Sequence, residues 1–360
     1  MRRTVGAQIS KLLKNKGVDF IFGIPGVHNQ ELYRGIEEAG IEHVLARHEQ
    51  GAGFMADGYA RATGRPGVAF VITGPGVCNI MTPMGQAYSD SIPMLILSSS
   101  LEERTLEPGR GRLHEMKDQR LAAETVCDWS IVAKNETEIY DLIERAFYEF
   151  QTLRKRPKHI QIPINLLESL SELDCIKIKE KRTSNEIKTF QSLDFIEGLF
   201  RNFPKILFIF GGGTCHCSDL AREVMKKCNA ASFSTFAGRG IIKSDNELNF
   251  GSYLSHQSSL SPISDADIVI AVGTSLSEVD IWRESLGVSG KFIWVNSDPE
   301  AFSSSVGLHQ KVICNSEDFL RFLNDRIPVN YPNKWDIMVV KNFKRKCESE
   351  VNSARPGIIP

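Results

Sequence analysis

The stretch RHEQGAGFMADGYARATG, residues 47–64, is the one on which the reading of this chain turns. A charged start, Arg47-His48-Glu49, gives way at once to small residues. Ala52, Gly53, Ala56, Ala60 and Ala62 leave one side of the predicted helix almost bare, so another backbone can come close. A carboxylate at a helix start is ordinary, because the unpaired first-turn N–H groups and the macrodipole favour it. Taken alone, Glu49 reads as a capping residue.

The flanking segments place that helix in an open sheet. A first amphipathic helix, with Val5, Ile9, Leu12 and Leu13 on one side, leads into the apolar run of residues 19–24, which stops at Pro25-Gly26. A second helix is expected over 30–40 and a short strand over 41–45, before the opening stretch. The uninterrupted apolar run of 67–73 is typical of a parallel strand buried on both faces. It ends in Gly74-Pro75-Gly76, with a helix over 77–89 and another buried strand over 93–98. Strands alternating with helices predict an α/β fold with a doubly wound, mostly parallel sheet. Ligands of such sheets lie beyond the carboxyl ends of the strands. The loops at Pro25-Gly26, Glu49 and Gly74 therefore share one edge.

Downstream, residues 101–119 form a polar, glycine-punctuated loop of a length more often functional than idle. A helix over 137–153 and a strand over 159–163 close the first domain, residues 1–168. A charged segment containing KIKEKRTSNE (177–186) reads as a linker over 169–189. A second doubly wound, Rossmann-like domain is expected over 190–326, with strands at 206–210, 231–235, 267–273 and 292–296. The triple glycine Gly211-Gly212-Gly213 follows a strand and could cradle phosphate. It lacks the spacing of a dinucleotide fingerprint and the lysine of a P-loop, so a tight packing turn is an equal account. Residues 327–360 read as a C-terminal linker ending in RPGIIP.

Composition narrows the function classes. The chain has 360 residues, 42% hydrophobic and 24% charged, with net charge −1. No basic block points to nucleic acid or an acidic membrane. The basic N-terminus has no apolar core or cleavage site, and no run is long enough to span a bilayer. Eight cysteines without framework spacing suit reduced thiols and a cytoplasmic location. Cys215-His216-Cys217 lacks a second ligand pair nearby and is read as an ordinary loop, so no metal ligands are assigned.

Taken together, FGIPG (22–26), residues 47–64, ITGPGVCNI (72–80) and DSIPMLILS (90–98) closely resemble the thiamine diphosphate-dependent enzymes of the acetolactate synthase type. FAGRG (236–240), SDADIVIAVGTSLSE (264–278) and VNSDP (295–299) look like the central domain of the same enzymes. GRGRLHE (109–115) and IPGVH (24–28) look more like the 2-oxo acid decarboxylase branch, particularly 5-guanidino-2-oxopentanoate decarboxylase. Acetolactate synthases typically carry Phe-Gln where this chain has Leu113-His114.

The resemblance implies a pyrimidine-binding domain in which Glu49 is the carboxyl group that activates the cofactor through its pyrimidine ring. For that task Glu49 should sit away from water and share a proton. Pro25 and Gly26 would line the pyrimidine pocket, with Thr73, Gly74 and Asn79 as its other wall; for Asn79 a helix-start hydrogen bond is an equal account. His28 and His114 would handle protons or orient the substrate carboxylate, with solvent exposure as the competing reading. Arg110 and Arg112 could bind a carboxylate, and Glu31 or Glu115 could meet a guanidino group. The bare side of the glutamate helix would pack against a partner subunit, so self-association is expected.

The family holds the cofactor's diphosphate through magnesium on a third domain, marked by Gly-Asp-Gly and downstream paired asparagines. This sequence contains no Gly-Asp-Gly, and Ala56-Asp57-Gly58 belongs to the glutamate helix. The expectation is a lyase or transferase component that shares thiamine diphosphate with a partner chain supplying magnesium. The alternatives are a truncated, inactive fragment and a non-catalytic subunit that keeps the fold. Some relatives also hold a flavin dinucleotide (FAD) on the central domain, and that is left open.

Overall fold

The structure is a computed structural model that describes residues 3–102, 109–171, 198, 200, 202–302, 310–328 and 331–354. Its contacts divide the chain into two units, Met1–Thr183 and Ser184–Pro360. Residues 103–108 of the polar loop, most of the expected linker and the terminal RPGIIP lie outside the described residues.

In the first unit, β1 (Phe20–Gly23), β2 (Glu42–Leu45), β3 (Gly67–Val71), β4 (Met94–Ser100), β5 (Trp129–Val132) and β6 (Lys158–Pro163) form one sheet. Its order is β2-β1-β3-β4-β6-β5, and every pairing is parallel. The central strands are apolar and buried on both faces, as the continuous runs predicted. The helices are α1 (Val5–Asn15), α2 (Gln30–Arg34), α3 (Glu49–Thr63), α4 (Pro75–Asp90), α5 (Gln119–Glu124), α6 (Glu136–Thr152) and α7 (Ile164–Glu168). Because the strands are parallel, the loops after β1, β2 and β3 leave from the same edge. The helix expected over 30–40 stops at Arg34: Gly35 caps it and packs on α1, where a Cβ would lie 2.1 Å from Ala7 O.

Small residues do different work from that expected. Ala52, Gly53, Ala56 and Ala60 are buried within this unit. A Cβ on Gly53 would lie 2.3 Å from Pro83 of α4, and one on Gly67 would lie 2.1 Å from Ala56 O. The bare side of α3 is thus covered by α4 and β3, and the outward side carries Gly51, Phe54, Gly58 and Ala62.

The second unit repeats the architecture with β7 (Ile206–Phe210), β8 (Ala231–Ser234), β9 (Asn249–Gly251), β10 (Ile268–Val272), β11 (Lys291–Asn296) and β12 (Gln310–Ile313). The order β12-β11-β10-β7-β8-β9 puts the topological switch point between β7 and β10. Its helices are α8 (Ser218–Lys227), α9 (Leu260–Ser264), α10 (Glu278–Ile281), α11 (Ser316–Arg326) and α12 (Ile337–Ala354). At the switch point the triple glycine is a packing turn. A Cβ on Gly211 would lie 2.3 Å from Gly273 O, and Gly213 N–H donates to that same oxygen at 2.9 Å. Cys215 and Cys217 lie in the 3-10 turn Gly212–Cys217, the first exposed and the second buried. No helix among the described residues is long and apolar enough to cross a membrane.

Candidate active site

Glu49 is the first residue of α3, where His48 caps the helix by accepting the Gln50 N–H at 3.1 Å. Only 8% of Glu49 is exposed. Asn79, in the second turn of α4, donates Nδ2–H to Glu49 Oε2 at 2.8 Å. Oε1 faces Gly76, where an added Cβ would lie 3.4 Å away. The missing side chain at Gly76 keeps that oxygen approachable. Tyr33 donates to Phe70 O at 3.1 Å and is held un-ionised, first by burial and then by the Glu49 charge.

The loop after β1 curls around Asn29, which sequence reasoning missed. Its fully buried side chain accepts the Gly26 N–H at 2.7 Å and donates to Ile24 O at 3.3 Å. The bond runs backward to Gly26, three residues upstream, so it is not the forward-reaching Asx turn that a sequence reading looks for. Gly26 faces Ile72, and Ile72 also packs on Gly76, so the first loop and the Glu49 pocket share this side chain. Pro25 is exposed and lines an open groove with Tyr33, Ile36 and His43.

His28 and His114 meet edge to face, with ring centroids 5.4 Å apart. Burial, and then the neighbouring His114, hold His28 below its ordinary pKa. The Nδ1 atoms of both rings are buried without a hydrogen-bond partner. His114 has φ +62°, and a Cβ on Gly74 would lie 2.3 Å from its carbonyl oxygen. Gly74 (φ +70°, ψ −109°) occupies backbone space that only glycine takes readily. Thr73 points into the unit instead, its hydroxyl 2.9 Å from Ser99 Oγ.

The two guessed partners for a guanidino group are already engaged. Glu115 accepts the backbone N–H groups of Gly109, Arg110 and Arg112. These bonds, the one from Arg112 foremost, hold its carboxyl below the usual range. Glu31 is buried; its Oε1 is ion-paired to Arg34 at 2.5 Å, while its Oε2 is buried without a hydrogen-bond partner. Among the described residues, no group of three or more His, Cys, Asp or Glu side chains could hold a metal ion.

A two-unit α/β chain with a buried helix-start carboxylate at a parallel sheet edge defines a class that comparison makes explicit. The N-terminal TPP-binding domain of thiamine pyrophosphate enzymes matches residues 3–121, and the central domain of those enzymes matches residues 196–323. The chain belongs to the thiamine pyrophosphate enzyme family. It is 42% identical over 300 residues to a "probable 2-ketoarginine decarboxylase" of Pseudomonas aeruginosa, covering 83% of this chain and 54% of that protein. It is 27% identical to the acetolactate synthase large subunit of Haemophilus influenzae, covering 90% of this chain and 59% of that one. The mitochondrial acetolactate synthase catalytic subunit of Saccharomyces cerevisiae is 26% identical, over 76% of this chain and 42% of its own length. The chain thus spans about half the length of these curated relatives.

The residues present fit the pyrimidine end of such a cofactor. Glu49 offers one oxygen beside a glycine that leaves space, and two buried imidazole nitrogens lack partners in the same loop cluster.

Proposed function

We propose that this chain supplies the activating half of a thiamine diphosphate site for decarboxylation of a 2-oxo acid in the cytoplasm. The diphosphate and its magnesium would be held by a further domain that these 360 residues do not contain. The observation that carries the reading is the buried Glu49 carboxylate, steadied on one oxygen by Asn79 and open on the other beside Gly76. When bound, thiamine diphosphate supplies an electron sink for the carbanion left by carbon dioxide.

Each residue then has a local task. Glu49, kept from water, would hold a proton at the oxygen left free by Asn79 and present it to the pyrimidine end of the cofactor. Gly26, Gly74 and Asn79 shape the pocket, Pro25 borders it, and Thr73 fixes its floor through Ser99. His28 and His114 hold or move a proton on the substrate side through their unpartnered nitrogens. The 42% identity to a protein named as a 2-ketoarginine decarboxylase supports a guanidino-bearing 2-oxo acid as substrate. Because Glu31 and Glu115 are engaged, neither is proposed as the guanidinium partner. The outward side of α3, with Gly51, Phe54 and Gly58, is proposed as the self-association surface. Flavin released on denaturation of the purified protein decides whether the central domain carries FAD.

The test is reconstitution. The chain alone should release no carbon dioxide from a 2-oxo acid. A polypeptide carrying Gly-Asp-Gly and paired asparagines should restore release, and Glu49→Gln should lower it by about 100-fold or more. Full activity of these 360 residues alone would sink the requirement for a further domain. Full activity of Glu49→Gln would sink the role of Glu49.

A further inference from the structure

The geometry points to Gln119 as a positioning residue that sets both the turn before Asn79 and the loop carrying His114. This role rests on the reading of the site given above. Gln119 is the first residue of α5 and is 7% exposed. Its Oε1 accepts the Gly74 N–H at 2.7 Å. Its Nε2 donates to Ser99 O at 3.0 Å and also lies within reach of Gln161 Oε1 (3.1 Å) and Ser98 Oγ (3.2 Å). Ser98 is held in turn by His159 Nε2 at 2.7 Å, and His159 Nδ1 by Ser130 at 2.7 Å. One amide thus ties Gly74 to three strands, β4, β5 and β6, through a chain of buried polar groups.

Gly74 is where this tie matters. Its N–H ends on Gln119, while its C=O accepts the Cys78 N–H at 3.1 Å and so begins α4. Asn79 follows Cys78 directly and delivers its side chain to Glu49. On its other side, Gly74 lies against the His114 backbone, itself in the left-handed region. Two sparsely populated backbone conformations in contact persist only where the surroundings over-determine them. Gln119 supplies that constraint from one end of the loop, and Glu115 supplies it from the middle. Substituting Gln119 should therefore move Asn79 and His114 together, although it touches neither side chain.

The experiment uses the whole chain and three readouts. By amide exchange, Gly74 N–H in the unmodified protein should exchange as slowly as the amides of β4, although it lacks a helical partner. In folded Gln119→Leu that exchange should accelerate by about tenfold or more. The His28 and His114 ring resonances, assigned with His28→Asn and His114→Asn, should shift. Gln119→Glu, which keeps an oxygen for Gly74, should regain part of the protection. In a reconstituted holoenzyme, Gln119→Leu should lower kcat by about 100-fold while KM changes less than about threefold. Fast Gly74 exchange in the unmodified chain overturns the assignment without any variant. Unmoved His28 and His114 signals in Gln119→Leu, or in Gln119→Met should the first not fold, overturn it too. Failure of the unmodified protein to decarboxylate on reconstitution counts against the proposed function and leaves the exchange and histidine readouts intact.

Discussion

Asn79 and Glu49 sit on different helices, and the 2.8 Å bond between them leaves the other carboxylate oxygen facing Gly76. Both residue types are conspicuous in the sequence. Their pairing is not, because it joins positions 30 residues apart through the packing of two helices. Cys78, next to Asn79, gives a residue-scale prediction. It is exposed, as is Cys215, while Cys127, Cys217, Cys228, Cys314 and Cys347 are buried. Burial pushes the Cys127 and Cys228 thiols up to about 12 and those of Cys217, Cys314 and Cys347 up to about 11. Among the described cysteines, iodoacetamide at neutral pH should modify Cys78 and Cys215 first, since the thiolate is the nucleophile. Peptide mapping that finds Cys228 or Cys127 modified as fast would contradict this burial.

At the scale of elements, α3 shows how one helix uses glycine in two ways. Gly53 meets Pro83 and Ile80 of α4, whereas Gly51 and Gly58 have open space. Gly51→Ala or Gly58→Ala should stabilise the fold by about 0.4–1 kcal/mol through the unfolded chain. Gly53→Ala should destabilise it by about 1–3 kcal/mol, because the extra carbon forces α3 off α4. Thermal melts of the three variants settle the order, and a rise in Tm for Gly53→Ala would refute the packing argument. The central strands were legible as apolar runs. β5, β9 and β12, edge strands of three or four residues, were not, although the edge strand β2 was.

Across the whole molecule, acid sensitivity should concentrate in the first unit. His159 is fully buried between Ser98 and Ser130, and burial lowers its pKa from 6.5 to about 3. Above pH 6.5 the folded and unfolded chains both carry it neutral, and its contribution is complete. Below that, only the unfolded chain takes up the proton, so stability falls by up to about 1.4 kcal/mol per pH unit. The loss continues until the folded pKa near 3 is reached. Glu149 adds to the effect at lower pH. Burial works to raise its pKa, but hydrogen bonds from Lys158, Trp129 and Arg145 together hold it below its ordinary value of 4.5. Its contribution is present above that value and is lost as pH falls through the folded pKa. Amide exchange between pH 7 and pH 4 should show the first unit loosening before the second, and His159→Gln should flatten the dependence. A second unit that opens first would overturn the prediction.

The sequence by itself determined the alternation of strands and helices and the shared edge of the loops, because these depend on local apolar runs and turn chemistry; Glu49 was singled out only by resemblance to a family. It also exposed the small-residue face of α3 but not what covers it. Only tertiary structure decided that α4 and β3 lie on that face, that Glu31 and Glu115 are engaged, and that Gln119, Ser98, Ser130, His159 and Gln161 converge beneath Gly74. Buried polar groups carry no periodic signal. They must find partners once desolvated, and which partners they find is set by how distant strands come side by side.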